Sequence, residues 1–451
     1  MSWMIRGLQV GILSWLVLSG QAQAAEPVEF SLSGDWEITV KLPAEENRAE
    51  IVRQVQVFEL PEVDQVEAEQ HSSLPVYNPK GPVYKRGAPL LQLKAQEVTT
   101  PFLLLEDGFA VRSGPEASST EFVRGKDYEL ALDWANVGRL TEGRIQKDQP
   151  VYITYRHGWL RLDSIVMTQN DRIEYRVGAN AASSPVPPAL QAGETLLGHV
   201  WLPGKIERLT DDNLFPVLET RYPEPPAQHP SAAERFIPRS LKKLQTGEPL
   251  RILAWGDSVT DGAYLPDRDR NRWQNQFVTK LRERFPQADI ELVTEAWGGR
   301  NTSSYLGVLP GQPHNYQETV LNAKPDLIIS EFVNDAGLKP DAVEERYSRL
   351  LKDFQGIGAE WIILTPHYTR PDWMGLKHER NIDHDPRPYV AGLREFSARH
   401  NVALADASVR YGRLWRQGIP YSTLMSNSIN HPNPWAMGIF ADALMELFPK
   451  K

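Results

Sequence analysis

The chain has 451 residues, of which 41% are hydrophobic and 24% charged, with a formal net charge of −9. These proportions exclude a disordered chain, and the length exceeds what one hydrophobic core serves well, so two or three domains are expected. The acidic balance argues against nucleic acid as a partner, and the absence of cysteine excludes thiol nucleophiles and thiolate metal sites.

Residues 1–24 read as a secretory signal. Arg6 supplies the positive charge, Leu8 to Leu18 is mostly apolar, and Ala22-Gln23-Ala24 offers small residues for cleavage, leaving Ala25 first in the mature chain. The apolar run is short for a membrane span, and no later segment reaches transmembrane length, so no span is expected after cleavage. A periplasmic or secreted bacterial protein is the expectation, held together by core burial without disulfides.

Residues 25–220 read as a β-rich accessory region. Val151 to Tyr155 alternates in polarity, Arg156-His157-Gly158 reads as a turn, and Trp159 to Val166 continues as a partner strand. Arg172 to Val177 alternates too, and glycine or proline recurs at short intervals (Gly34, Pro43, Pro61, Gly81, Pro82, Gly114, Pro115), as in sandwiches and barrels. Residues 221–247 read as a linker, proline-dense from Tyr222 to Pro230.

From 248 to 451 the pattern changes to short apolar runs alternating with helical stretches. The runs are Ile252 to Trp255, Ile290 to Val293, Leu327 to Ile329, Trp361 to Leu364 and Val402 to Ala405. Trp273, Phe277, Leu281 and Phe285 recur at helical spacing. So do Val343, Tyr347, Leu350, Leu351 and Phe354, and later Ile439, Phe440, Ala443, Leu444 and Leu447. Such alternation predicts an α/β domain with a parallel sheet covered on both faces, and functional loops at the carboxyl ends of its strands.

Those ends carry the candidate chemistry. Gly256-Asp257-Ser258 follows the first run, placing a hydroxyl at a strand-to-helix turn where backbone N–H groups suit an oxyanion. Trp297-Gly298-Gly299-Arg300 follows the second, Val333-Asn334-Asp335 lies just past the third, and Asn430-His431-Pro432-Asn433 precedes the last helix. In this order, on these strand ends, the four pieces resemble the SGNH (GDSL) hydrolase superfamily over residues 248–451. The resemblance implies a flavodoxin-like three-layer fold and a serine ester hydrolase without cofactor or metal. It implies Ser258 as nucleophile and His431 as base. Gly299 would give a main-chain donor and Asn334 an amide donor to the oxyanion. The layout is also similar to carbohydrate acetyl esterases in which a β-sandwich precedes the hydrolase domain.

The chain departs from the family pattern twice. Phe332 stands where a glycine is usual two places before the asparagine, which is expected to narrow the pocket wall. Ser428 stands where an aspartate is usual three places before the histidine. Either Ser258 and His431 act as a dyad, with Ser428 or a carbonyl orienting the ring, or Asp383, Asp385 or Asp406 supplies the acid. The dyad is the favoured expectation.

Trp297, Trp373 and Trp435 adjoin these motifs and could stack on a sugar, though core packing would equally account for them. Arg300 could meet an anionic substrate group or Asp261. The stretch from His378 to Asp385 has metal-ligand residue types but no helical histidine pair, and reads as a charged loop over the site. The expected substrate is a short acyl ester, O-acetyl on extracellular carbohydrate above others. Lipolytic or aryl ester hydrolysis, acyl transfer to a polysaccharide hydroxyl, and non-catalytic sugar binding are the competing readings.

Overall fold

A computed structural model describes residues 28–44, 48–57, 63–382 and 384–450. The expected signal (1–24) and Asp383 lie outside them.

The C-terminal sheet has five strands: β1 (Leu250–Gly256), β2 (Ile290–Ala296), β3 (Leu327–Glu331), β4 (Glu360–Leu364) and β5 (Ala403–Ala405). All pairs are parallel, in the order β2-β1-β3-β4-β5. This is the flavodoxin-like order, with its switch point between β1 and β3.

The apolar runs are continuous because both faces are covered. Ile252 and Ala254 join one buried cluster with helix α1 (Trp273–Arg284) and helix α4 (Pro434–Glu446). Leu253 and Trp255 point the other way, into a second cluster with α2 (Pro340–Gly356) and α3 (Pro388–His400). In α1 the residues at helical spacing, Trp273, Phe277 and Leu281, are all fully buried.

The N-terminal region is β-rich, as expected, and built from antiparallel pairs. One strand assignment differs from the sequence reading. Val151–His157 pairs with Asp64–His71 and Leu104–Arg112, whereas Leu160–Met167 enters another sheet between Ile173–Arg176 and Thr195–Pro203. The expected turn at Gly158 is a crossing between sheets, where the Gly158 N–H donates to Leu103 O at 2.9 Å. Seven of the eight residues of Leu160–Met167 are buried, so this strand needs cover on both faces, which a hairpin would not provide.

Residues 232–246, within the stretch read as linker, form two short helices, Ala232–Phe236 and Pro238–Thr246. The second is capped by Glu360, whose carboxylate accepts the N–H groups of Arg239 and Ser240 at 3.0 and 2.7 Å.

The two regions share one core. A single cluster includes Leu90, Leu93, Leu103, Trp201 and Phe215 from the N-terminal side and Trp415, Tyr421 and Met425 from the other. Backbone bonds from Leu218 and Glu219 N–H to Arg416 O, at 2.7 and 2.8 Å, stitch the seam.

Phe277 sits at the centre of the α1 face. Truncation by Phe277→Ala should cost about 3–5 kcal/mol of stability through lost burial and a residual cavity; urea unfolding of the purified variant checks this.

Candidate active site

The first motif follows β1. Gly256 permits the turn: a Cβ there would lie 2.5 Å from Glu331 O on β3. Asp257 then caps a single helical turn, Ser258–Asp261, with its carboxylate accepting the Val259 N–H at 3.1 Å. Ser258 heads that turn, so its own N–H belongs to the unpaired first-turn donors.

The other predicted residues converge on it. Gly299 has φ +72, in the left-handed region where glycine carries no Cβ strain, and a Cβ on Gly298 would touch Ser258 Cβ at 3.7 Å. Both Asn334 N–H groups, backbone and side chain, donate to Asp257 Oδ2 at 2.9 Å. One amide N–H of Asn334 is therefore spent on orientation, and its second is left for a ligand. Asp257 is fully buried, and burial pushes its carboxyl upward against the N–H bonds that favour the charged form. Its neighbour Glu331 is raised as well, by burial first and then by Asp257's charge.

His431 Nε2 lies 3.2 Å from Ser258 Oγ. Its Nδ1 faces Gln96 Oε1 at 3.0 Å, with Glu97 Oε1 at 3.5 Å. An amide oxygen only accepts, so Nδ1 carries the proton and Nε2 is free to accept from the serine hydroxyl. Tyr264 stacks flat on the imidazole, centroids 4.2 Å apart. Asn427 holds the segment: its Oδ1 accepts the N–H groups of Ile429, Asn430 and His431 at 3.0, 2.9 and 3.0 Å.

Several expectations change. Ser428 does not orient the ring; its hydroxyl meets Thr100 Oγ1 at 2.8 Å. Asp385 is locked to Arg387 at 2.6 Å, and Asp406 to Arg394 at 2.7 Å, so neither carboxylate serves His431. Phe332 forms no pocket wall. It is buried edge-on to Trp255, centroids 4.8 Å apart, and so fills the core where a glycine would leave space. Arg300 does not reach Asp261, which pairs with Arg268 at 3.2 Å; its guanidinium lies 5.1 Å over the Trp297 ring instead. Trp297 itself stacks on His314 at 4.8 Å, and Trp435 lies at the start of α4, so neither lines the cleft. The charged loop also turns away. His378 meets Asp212 at 2.7 Å, and Glu379 accepts from the Ser422 N–H at 2.9 Å, partners that hold the loop to its neighbours.

Trp373 does line the cleft. It shares a space of about 340 Å³ with Ser258, Gly299, Asn334 and His431, and with Tyr84, Lys85, Glu97 and Val98 from the N-terminal region. No sequence motif marks those four residues.

Residues 254–438 match the model of the GDSL-like lipase/acylhydrolase family. The matched segment lies within the C-terminal domain, which is similar to that family. Over those residues the chain is similar to serine ester hydrolases of the SGNH type. Solved structures similar to it include an alpha/beta hydrolase enzyme from the metagenome of Lake Arreo, Spain, at 20% identity, covering 44% of this chain and 93% of that one, with a TM-score of 0.35. A two-domain esterase active on acetylated mannans matches at 16% identity over 49% of this chain and 56% of that one, with a TM-score of 0.38. A member of the lipolytic G-D-S-L family from Veillonella parvula matches at 16% identity over 44% of this chain and 98% of that one, TM-score 0.30. No curated protein matches the chain.

Burial holds the His431 imidazolium below its ordinary 6.5, with Glu97 acting in the opposite sense. A base with a lowered pKa stays neutral to lower pH. The acid limb of kcat/KM for this GDSL-like domain should therefore have its midpoint below 6.5, which a pH–rate profile on a soluble ester measures.

Proposed function

We propose that the protein is an exported esterase that removes short acyl groups, O-acetyl foremost, from extracellular carbohydrate, with Ser258 as nucleophile. The observation that carries the reaction is the 3.2 Å approach of Ser258 Oγ to His431 Nε2 beside Gly299 and Asn334.

In this reading His431 takes the Ser258 proton as Oγ attacks the ester carbonyl. The oxyanion meets the main-chain N–H groups of Ser258 and Gly299 and the second amide N–H of Asn334, each donor contributing about 3 kcal/mol. His431 then protonates the departing sugar oxygen, leaving acyl-Ser258. Water, deprotonated by the same imidazole, attacks the acyl carbon and releases the acid.

The lining supports a small acyl group on a sugar. Val98 and Ile429 are its aliphatic side chains; the remainder is glycine, polar or aromatic, with no continuous apolar wall for a long chain. Tyr84 and Trp373 sit together, ring centroids 5.9 Å apart, and offer amphipathic faces to a sugar ring. Export rests on the N-terminal pattern of charge, apolar run and small residues.

A panel of p-nitrophenyl esters and acetylated polysaccharides tests the assignment. Turnover should fall as the acyl chain lengthens, and Ser258→Ala should abolish it without unfolding; full turnover in that variant would remove Ser258 as nucleophile. Asn334→Ala should lower kcat by about 100-fold or more at little change in KM, since its amide acts as charge develops. Trp373→Ala should raise KM for acetylated polysaccharide while sparing p-nitrophenyl acetate; equal effects on both would argue against a sugar-stacking wall.

A further inference from the structure

Ser428 stands where an aspartate is usual three places before the histidine, and the ring's Nδ1 faces a different segment. Lys94–Ala95 and Val98–Thr99 form a two-stranded hairpin whose tip is Gln96-Glu97. Gln96 has φ +59, a left-handed backbone that a non-glycine side chain adopts only at a cost.

The hairpin is fastened to the histidine segment at each step. Thr100 Oγ1 meets Ser428 Oγ at 2.8 Å, and Glu97 Oε1 accepts from Asn427 Nδ2 at 3.1 Å. Val98, Trp134 and Ile429 are buried against one another beneath it. Thus Ser428 is a docking point for the strand that brings Glu97 in. A carboxylate there would face the Thr100 hydroxyl, while Glu97 already lies 3.5 Å from Nδ1.

We propose that the N-terminal β region completes the catalytic unit: Gln96 fixes the His431 tautomer, and Glu97 stabilises the imidazolium formed when Ser258 gives up its proton. Both are positioning residues that act through His431, and the proposal rests on the serine reading above. It makes the β region a part of the active site. Gln96 accepts the Nδ1 proton at 3.0 Å in the resting state, and Glu97 supplies the charge that an amide lacks.

Substitutions of opposite charge separate this role from a structural one. Glu97→Gln keeps an oxygen for Asn427 and removes the charge. It should lower kcat by roughly 10- to 100-fold, less than the roughly 10⁴-fold of a buried triad aspartate, because Glu97 is 42% exposed. The charged and titratable groups acting on His431 are Glu97 and Lys85 from the N-terminal region, with Tyr264 stacked on the ring and the buried His367 near enough to interact electrostatically. Glu97 is the anion among them that favours imidazolium, so Glu97→Gln should move the acid limb of kcat/KM down by about one pH unit. Gln96→Glu places a second carboxylate at Nδ1 and should move the same limb up. Gln96→Ala should lower kcat about 10-fold with KM little changed. Thermal unfolding confirms that each variant is folded.

Opposite shifts of the limb in the two charge variants support the proposal. Wild-type kcat and an unmoved limb in both, with Ser258→Ala inactive, would overturn it and leave the serine reading standing. An active Ser258→Ala would overturn the reading beneath it.

Discussion

The arrangement depends on His431 being held from both sides. Its Nε2 meets Ser258 at the end of β1, and its Nδ1 meets Gln96 at the tip of a hairpin in the other region. A histidine can act as base toward a serine only if one tautomer and one ring plane are enforced. Here the tautomer comes from an amide oxygen, the plane from the stacked Tyr264, and the segment's path from Asn427. The shared core between the two regions follows from the same requirement. A bond of 3.0 Å across a domain boundary persists only where the boundary is packed like an interior, and Leu93, Trp201, Phe215 and Trp415 provide that packing.

A second constraint lies under the serine. Asp257 is buried with Glu331 beside it, so two carboxyls share a site poor in water. Burial of this kind is tolerated because Asp257 accepts the Val259 N–H and two N–H groups of Asn334. These bonds also set the two loops at the β1–β3 switch point in register. Asn334 is thereby aimed without needing a contact of its own to Ser258, and one N–H is left for chemistry.

Much of this was legible in the residues. The five strands could be read because a parallel sheet covered on both faces writes itself as unbroken apolar runs, and three of the four motifs then fell at or just past strand ends where the topology places function, the histidine motif preceding the last helix. The long helices declared themselves through Trp273, Phe277 and Leu281, and through Val343, Tyr347 and Leu350, at helical spacing. The helix Pro238–Thr246 did not, being nine residues long and held by a carboxylate more than a hundred positions away. The crossing at Gly158 looked like a hairpin because alternation reports a strand and not its partner. Gln96 and Glu97 carried no signal: a left-handed turn residue is ordinarily announced by glycine or asparagine, and a contact 335 positions away in sequence follows no local rule. Phe332 misled because a family position was read as pocket wall where this chain uses it as core.

The central claim is that Ser258 is activated by a histidine which the two regions hold jointly. A fluorophosphonate reagent tests it most directly, since it reacts covalently with a serine whose hydroxyl is deprotonated by a neighbouring base and needs no knowledge of the natural substrate. The adduct should map by mass spectrometry to the peptide bearing Ser258, and it should form markedly more slowly in the folded Gln96→Ala variant than in the wild-type protein. An adduct on another residue, or one on Ser258 formed at the same rate in both proteins, would contradict the account.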